Sequence, residues 1–132
     1  SQMDGGPLSA ASKVAGREPV EINPRDASQR GINSGDVVRI FNSRGQCLAG
    51  AVLNKNIREN VVRLSAGAWY DSDNGEPGCL EIHGNPNVLT RDYGTSKIGQ
   101  APTSTTALVE IEKFEESVPA LNINTPPQQV NL

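Results

Sequence analysis

The stretch Pro19-Val20-Glu21-Ile22-Asn23-Pro24-Arg25-Asp26-Ala27-Ser28-Gln29-Arg30-Gly31 changes character in its middle. Pro19 to Ile22 reads as a short strand. Asn23 suits a helix N-cap, Pro24 the first helical position, and Gly31 the left-handed residue after the last turn, so a compact helix follows the strand directly. Asp26 in its first turn suits the positive end of the helix dipole. Working outward, Asn33-Ser34-Gly35-Asp36 is a turn and Val37 to Phe41 a β-rich run. Asn42-Ser43-Arg44-Gly45 is a second turn and Gln46 to Leu53 a strand, so the two strands form a hairpin. After a turn at Asn56 to Asn60, Val61 to Leu64 is another strand, and Leu80 to Ile82 is short and extended. From Thr106 to Phe114, Ala107, Val109 and Ile111 alternate with Leu108, Glu110 and Glu112, which marks a closing strand. The expectation is a mainly β domain, a barrel with one or two short helices.

The chain has 132 residues, enough for one domain with its own core. Leu, Ile, Val and Phe make up 30 of them, just above the level of intrinsic disorder. With 13 glycines and 9 prolines, short elements joined by many turns are expected. Lys and Arg number 12 against 15 Asp and Glu, so no basic excess is available for a nucleic-acid backbone. The net charge of −3 sits in the C-terminal stretch, where Lys113 faces Glu110, Glu112, Glu115 and Glu116; these glutamates read as a solvated edge. No apolar run approaches the ~20 residues of a membrane span, and Ser1 to Ser12 has no signal-peptide pattern. Cys47 and Cys79 lack metal or redox spacing, and His83 is the sole histidine, so neither a protein-built metal centre nor a Ser-His-Asp triad is indicated. Residues 1–12 are read as a flexible N-terminal segment, 13–116 as the folded unit, and 117–132, rich in Pro, Gln and Asn, as a flexible tail.

Three ordered stretches carry a resemblance. The first is Arg17-Glu18-Pro19-Val20-Glu21-Ile22-Asn23-Pro24-Arg25-Asp26-Ala27, with Arg30-Gly31-Ile32, Gly35-Asp36-Val37-Val38 and Asn42-Ser43-Arg44-Gly45. The second is Gly67-Ala68-Trp69-Tyr70. The third is His83-Gly84-Asn85-Pro86-Asn87-Val88-Leu89-Thr90, with Asp92-Tyr93-Gly94-Thr95-Ser96 and Gln100. The set resembles the C-terminal domain of the dimethyl sulfoxide reductase family of molybdenum enzymes, nearest to its trimethylamine N-oxide and biotin sulfoxide reductases. The first stretch alone recurs in other double-psi barrels, among them N-terminal domains of AAA ATPases; the third separates the family from those.

The resemblance implies a six-stranded double-psi β-barrel over bis-molybdopterin guanine dinucleotide, with molybdenum ligated outside this domain and the remaining domains of the same reductase chain as partners. The family reduces N-oxides or S-oxides. The isolated domain is expected to be monomeric and inactive by itself. The parent enzyme is expected in the periplasm, with a cytoplasmic location as the alternative. The implied cofactor-binding residues are Asn85, Asn87, Asp92, Thr95, Ser96 and Gln100. Amides can match a pterin or guanine edge in both directions, while hydroxyls and the Gly94 N–H suit phosphates. Ser1 and Gln2 join the set, although an expression remnant accounts for them equally. The competing reading of 84–100 is a polar loop making its own turns. Asp26, Arg30 and Asp36 are read as structural, Trp69 as a packing anchor, and His83 as an ordinary hydrogen-bonding residue. Two other functions compete: a stand-alone barrel acting as a peptide or partner adaptor, and a small self-processing enzyme on the same barrel.

Overall fold

The structure, a computed structural model, describes residues 4–76, 78–103, 107–126 and 129. Its elements are α1 (Pro7–Ser12), β1 (Pro19–Ile22), α2 (Pro24–Gln29), β2 (Val37–Phe41), β3 (Gln46–Leu53), β4 (Val62–Leu64), a 3₁₀ turn (Pro86–Leu89) and β5 (Glu110–Lys113). The strands form one sheet in the order β4-β1-β3-β2-β5. The β1–β3 pair is parallel and the other three pairs are antiparallel. The protein is mainly β, and its helices are short.

The strand-to-helix junction forms as its residues dictate. The Asn23 side chain accepts the Arg25 N–H at 2.9 Å, and Gly31 takes φ +65° beyond α2. Asp26 is buried and accepts the Asn60 N–H at 2.7 Å, tying the helix to the turn before β4. Asp36 accepts the Asn33 N–H and pairs with Lys113 at 3.0 Å. Both acids are structural.

Among the described residues the sheet has five strands, where six were expected. Leu80–Ile82 is extended, but it touches the sheet only through single bridges of Glu81 to Cys47 and Ser72. Glu81 N donates to Gln46 O and Leu48 N to Glu81 O, while β1 pairs β3 farther along, from Gly50 to Leu53. The closing strand is also shorter than its alternation suggests. Ala107 and Val109 instead line the seam opposite β4 while Leu108 faces outward, and Thr106 lies outside the described residues.

Val20, Ile22, Val38, Ile40, Cys47 and Ile111 pack together inside the curl with Ala27, Ala49 and Ala51. Burying one large aliphatic side chain is worth about 1.5–3 kcal/mol. Trp69 does not anchor this core. It is 40 % exposed and covers Gly5 on the outside, because alanines and β-branched residues already fill the interior. Burial, together with the nearby Glu81 carboxylate, pushes the Cys47 thiol far above its usual range. A thiol reagent is therefore expected to modify partly exposed Cys79 and spare Cys47 in the folded chain. Two equivalents reacting before unfolding would contradict this.

Candidate functional site

The candidate loop is held at its start by a side chain that sequence reasoning did not single out, and farther along by Asn42 Nδ2 and Arg44 Nε, which donate to Leu89 O at 2.9 and 2.8 Å. Glu81 is fully buried, and its backbone is fixed to β3. One carboxylate oxygen accepts from Gly84 N and Asn85 N, both at 2.8 Å; the other accepts from His83 N at 3.0 Å and Asp71 N at 3.3 Å. Gly84 sits at φ +99°, where the ladder cannot continue and backbone donors turn inward. A carboxylate has enough lone pairs to satisfy all four donors. Burial raises the Glu81 pKa above 4.5, against the pull of these N–H groups. The clue in the sequence was an acid between Leu80 and Ile82, directly ahead of a glycine turn.

Asn85 passes this order onward. Its side-chain oxygen caps the 3₁₀ turn through Asn87 N at 2.9 Å, and its Nδ2 donates to Ala68 O at 2.9 Å. Asn85 is thus spent on structure. Ser96 and Gln100 are largely spent too: Ser96 Oγ accepts Gly99 N at 2.8 Å, and Gln100 Nε2 donates to Ser96 O at 3.0 Å. Gln100 adopts φ +45°, so close to Gly94 that a Cβ there would meet its Oε1 at 2.5 Å. The 94–101 segment is a self-tied turn, closed by Thr95 N to Ala101 O at 2.9 Å. The side chains of Asn87, Asp92 and Thr95 are exposed on this run and have no hydrogen-bond partner among the described residues. Ser1 and Gln2 lie outside the described residues.

Behind the loop lies a buried charge cluster. Lys13 Nζ donates to Asp4 Oδ1 and Glu18 Oε2, each at 2.6 Å. Asp4 Oδ2 accepts Trp69 N at 2.9 Å and lies 3.7 Å from His83 Nδ1. His83 is buried and hydrogen-bonds Trp69 O at 2.9 Å, the structural role expected of it. On the other side, Asp71 Oδ2 accepts Asn122 N at 2.6 Å and Ile123 N at 3.1 Å, and Arg17 Nη2 donates to Pro119 O at 2.6 Å. Burial lowers the Arg17 pKa, with Asp71 and Glu81 opposing that shift. Both flanks of the folded unit therefore dock near the loop.

A separate groove of about 600 Å³ follows the seam between β4 and β5, walled by Ile22, Val62, Val109 and Ile111, with Asp26 and Arg30 at one end. None of the expected cofactor-binding residues lines it. Among the described residues no group of three His, Cys, Asp or Glu could hold a metal, and no helix is long and apolar enough to cross a membrane.

Trimethylamine-N-oxide reductase 1 of Escherichia coli K12 is 60 % identical over 106 residues, covering 80 % of this chain and 12 % of the relative. The trimethylamine-N-oxide reductase of Salmonella typhimurium is 57 % identical over 102 residues, covering 76 % of this chain and 12 % of the relative. That of Vibrio vulnificus is 46 % identical over 121 residues, covering 92 % of this chain and 15 % of the relative. The chain thus spans only 12–15 % of the length of these relatives. Residues 1–108, most of the polypeptide and all of the candidate loop, match the molydopterin dinucleotide binding domain. The chain belongs to that family.

Proposed function

We propose that this chain is the C-terminal domain of a molybdenum oxidoreductase that reduces N-oxides or S-oxides, and that it holds bis-molybdopterin guanine dinucleotide through its 85–100 loop. The observation that carries the reading is the set of unspent polar side chains, Asn87, Asp92 and Thr95, on a loop whose backbone is held by Glu81 and Asn85. Their chemistry fits the group. A carboxylate such as Asp92 can accept from the paired N–H donors of guanine, an amide such as Asn87 can meet a mixed donor–acceptor edge, and a hydroxyl such as Thr95 suits phosphate. Ser96 through its O–H, Gln100 through its Oε1, and Asn85, whose hydrogen bonds shape the loop, complete the proposed set with Ser1 and Gln2. The bound cofactor would supply the two-electron chemistry at molybdenum; this chain's contribution is to bind and orient.

Trimethylamine N-oxide is the favoured substrate, since the relatives above carry that name, and biotin sulfoxide is the alternative. The rest of the reductase is the partner, the periplasm is the compartment, and the domain alone is monomeric and inactive. The five-stranded sheet is read as a double-psi barrel whose sixth strand is the Glu81 bridge segment. Residues 13–116 form the working unit. Residues 1–12 and 117–132 flank that unit, and their described parts rest on it through Asp4 and Asp71.

Titration of the labelled chain with GDP, the accessible fragment of the dinucleotide, tests the reading. Amide shifts are expected to cluster between Asn85 and Gln100. Asn87→Ala should weaken binding about tenfold, the cost of one well-made polar contact. Shifts scattered over the seam groove, or none at millimolar GDP, count against it.

A further inference from the structure

We propose that Glu81 is a positioning residue for the dinucleotide, acting through the backbone of residues 83–85; this rests on the reading of 85–100 as the ligand loop. Three observations converge on it. Glu81 is anchored at both its backbone N–H and its C=O to β3, so its carboxylate is a fixed point of the sheet. Four backbone donors, including those of His83, Gly84 and Asn85, end on that carboxylate. From there the order runs without a gap: Asn85 N to Glu81, Asn85 Oδ1 from Asn87 N, and Thr90 Oγ1 to Asn87 O at 3.1 Å. Asn87, whose side-chain amide is unspent, is therefore located from its N-terminal side by hydrogen bonds that begin at Glu81, and from its C-terminal side by Asn42 and Arg44 at Leu89 O.

A carboxylate is an unusual choice for this task. Burying it costs free energy, and an apolar residue would pack more cheaply, but would leave four inward donors orphaned. The partial compensation comes from Arg17, which is buried, feels the charge of Glu81, and has an Nε with no partner among the described residues. Glutamine has nearly the same shape but replaces one oxygen with a donor NH₂ group. Two of the four N–H groups would then face a donor. The geometry of residues 83–85 depends on charge and acceptor count, not on volume.

The test compares wild type, Glu81→Gln and Glu81→Asp by GDP titration at temperatures where each is fully folded, judged by the core amides of Ile22, Val38 and Ile40. Glu81→Gln is expected to raise the GDP dissociation constant about tenfold in the folded protein, as for other residues that orient a binding group from behind. Its His83, Gly84 and Asn85 amides should exchange with solvent at least tenfold faster. Glu81→Asp keeps the charge and both oxygens but withdraws them by one methylene. It should recover part of the affinity, and it serves as the probe if Glu81→Gln does not fold. A structural role alone would lower stability and leave the affinity of the folded molecules unchanged; that result overturns the proposal. Failure of wild type to bind GDP on this loop overturns the underlying reading, and the inference with it.

Discussion

Lys13→Met is expected to destabilise the folded chain by about 3–5 kcal/mol at neutral pH, the usual cost of removing one partner from a buried ion pair. Lys13 Nζ lies 2.6 Å from both Asp4 and Glu18, and the three side chains are 8 %, 3 % and 12 % exposed. Methionine fills much of the lysine stem's volume, so packing changes little, and two carboxylates are left close together without their cation. Asp4 keeps its bonds from Trp69 N and Ser9 Oγ, which soften the loss without neutralising the charge.

The pH dependence gives the mechanism a separate check. Burial raises the Asp4 pKa, but the hydrogen bonds from Lys13 and Trp69 outweigh it and hold the group below 3.8. Its contribution is therefore present above pH 3.8 and lost as pH falls through the lower folded value. Burial lowers the Lys13 pKa, but Asp4 and Glu18 together raise it above 10.5. That contribution is complete below pH 10.5 and lost as pH rises through the higher folded value. In Lys13→Met the burial penalty on Asp4 is opposed only by its remaining hydrogen bonds, so the stability gap to wild type should narrow between pH 7 and about pH 4.5 as the Asp4 carboxylate takes up a proton more readily. Urea unfolding of both proteins at the two pH values measures the gap. A loss below 1 kcal/mol, or a gap that widens in acid, would refute the account.

The strands and α2 were readable because local rules decide them. Asn23, Pro24 and Gly31 occupy the cap positions that their chemistry favours, and Gln46 to Leu53 is one uninterrupted strand between turn residues. The closing strand was readable only in its last half. Alternation reports which face a residue presents, not whether its backbone has a neighbour to pair with, and Ala107 and Val109 turn to the seam, with Leu108 outward, without a ladder. Trp69 misled for a related reason. Apolar area favours burial, but an interior already filled by Ala49, Ala51 and Ile40 leaves an indole outside.

In the proposed loop, the sequence shows which polar side chains are present but not which of them are already hydrogen-bonded. Asn85 and Gln100 carry the same side-chain amide as Asn87, and Ser96 the same hydroxyl as Thr95. What separates them is whether those groups are already used, and Ala68 O lies 17 positions away from its Asn85 partner. Charges were harder still. Asp4, Lys13, Glu18, Asp71 and Glu81 look like ordinary surface residues in a chain that is 20 % charged, yet all are largely buried and pin the flanks and the loop to the sheet. Burial of a charge is decided by partners distant in sequence, so only the folded chain reveals it.

Gly84→Ala is expected to cost about 3–5 kcal/mol, an unusually large loss for adding one methyl group. A side chain at φ +99° carries a conformational penalty of about 1–2 kcal/mol. The new Cβ would also lie 2.6 Å from Glu18 Cβ and 3.2 Å from Glu18 N. Glu18 cannot retreat, because its N–H donates to His83 O at 2.9 Å and its C=O accepts Gly50 N at 3.0 Å, which tie it to the loop on one side and to β3 on the other. The loop must yield instead, taking Gly84 N and Asn85 N off the Glu81 carboxylate; an under-satisfied buried group costs about 1–3 kcal/mol more. Gly31→Ala separates these terms, since Gly31 is also left-handed at φ +65° but a Cβ there meets nothing within 4 Å. It should show the conformational penalty alone, about 1–2 kcal/mol, and keep the GDP response of the 85–100 loop. Gly84→Ala should lose both stability and that response. Equal losses at the two positions would mean that the close approach of Glu18 to the loop contributes nothing, and that the loop is not held where its hydrogen bonds imply.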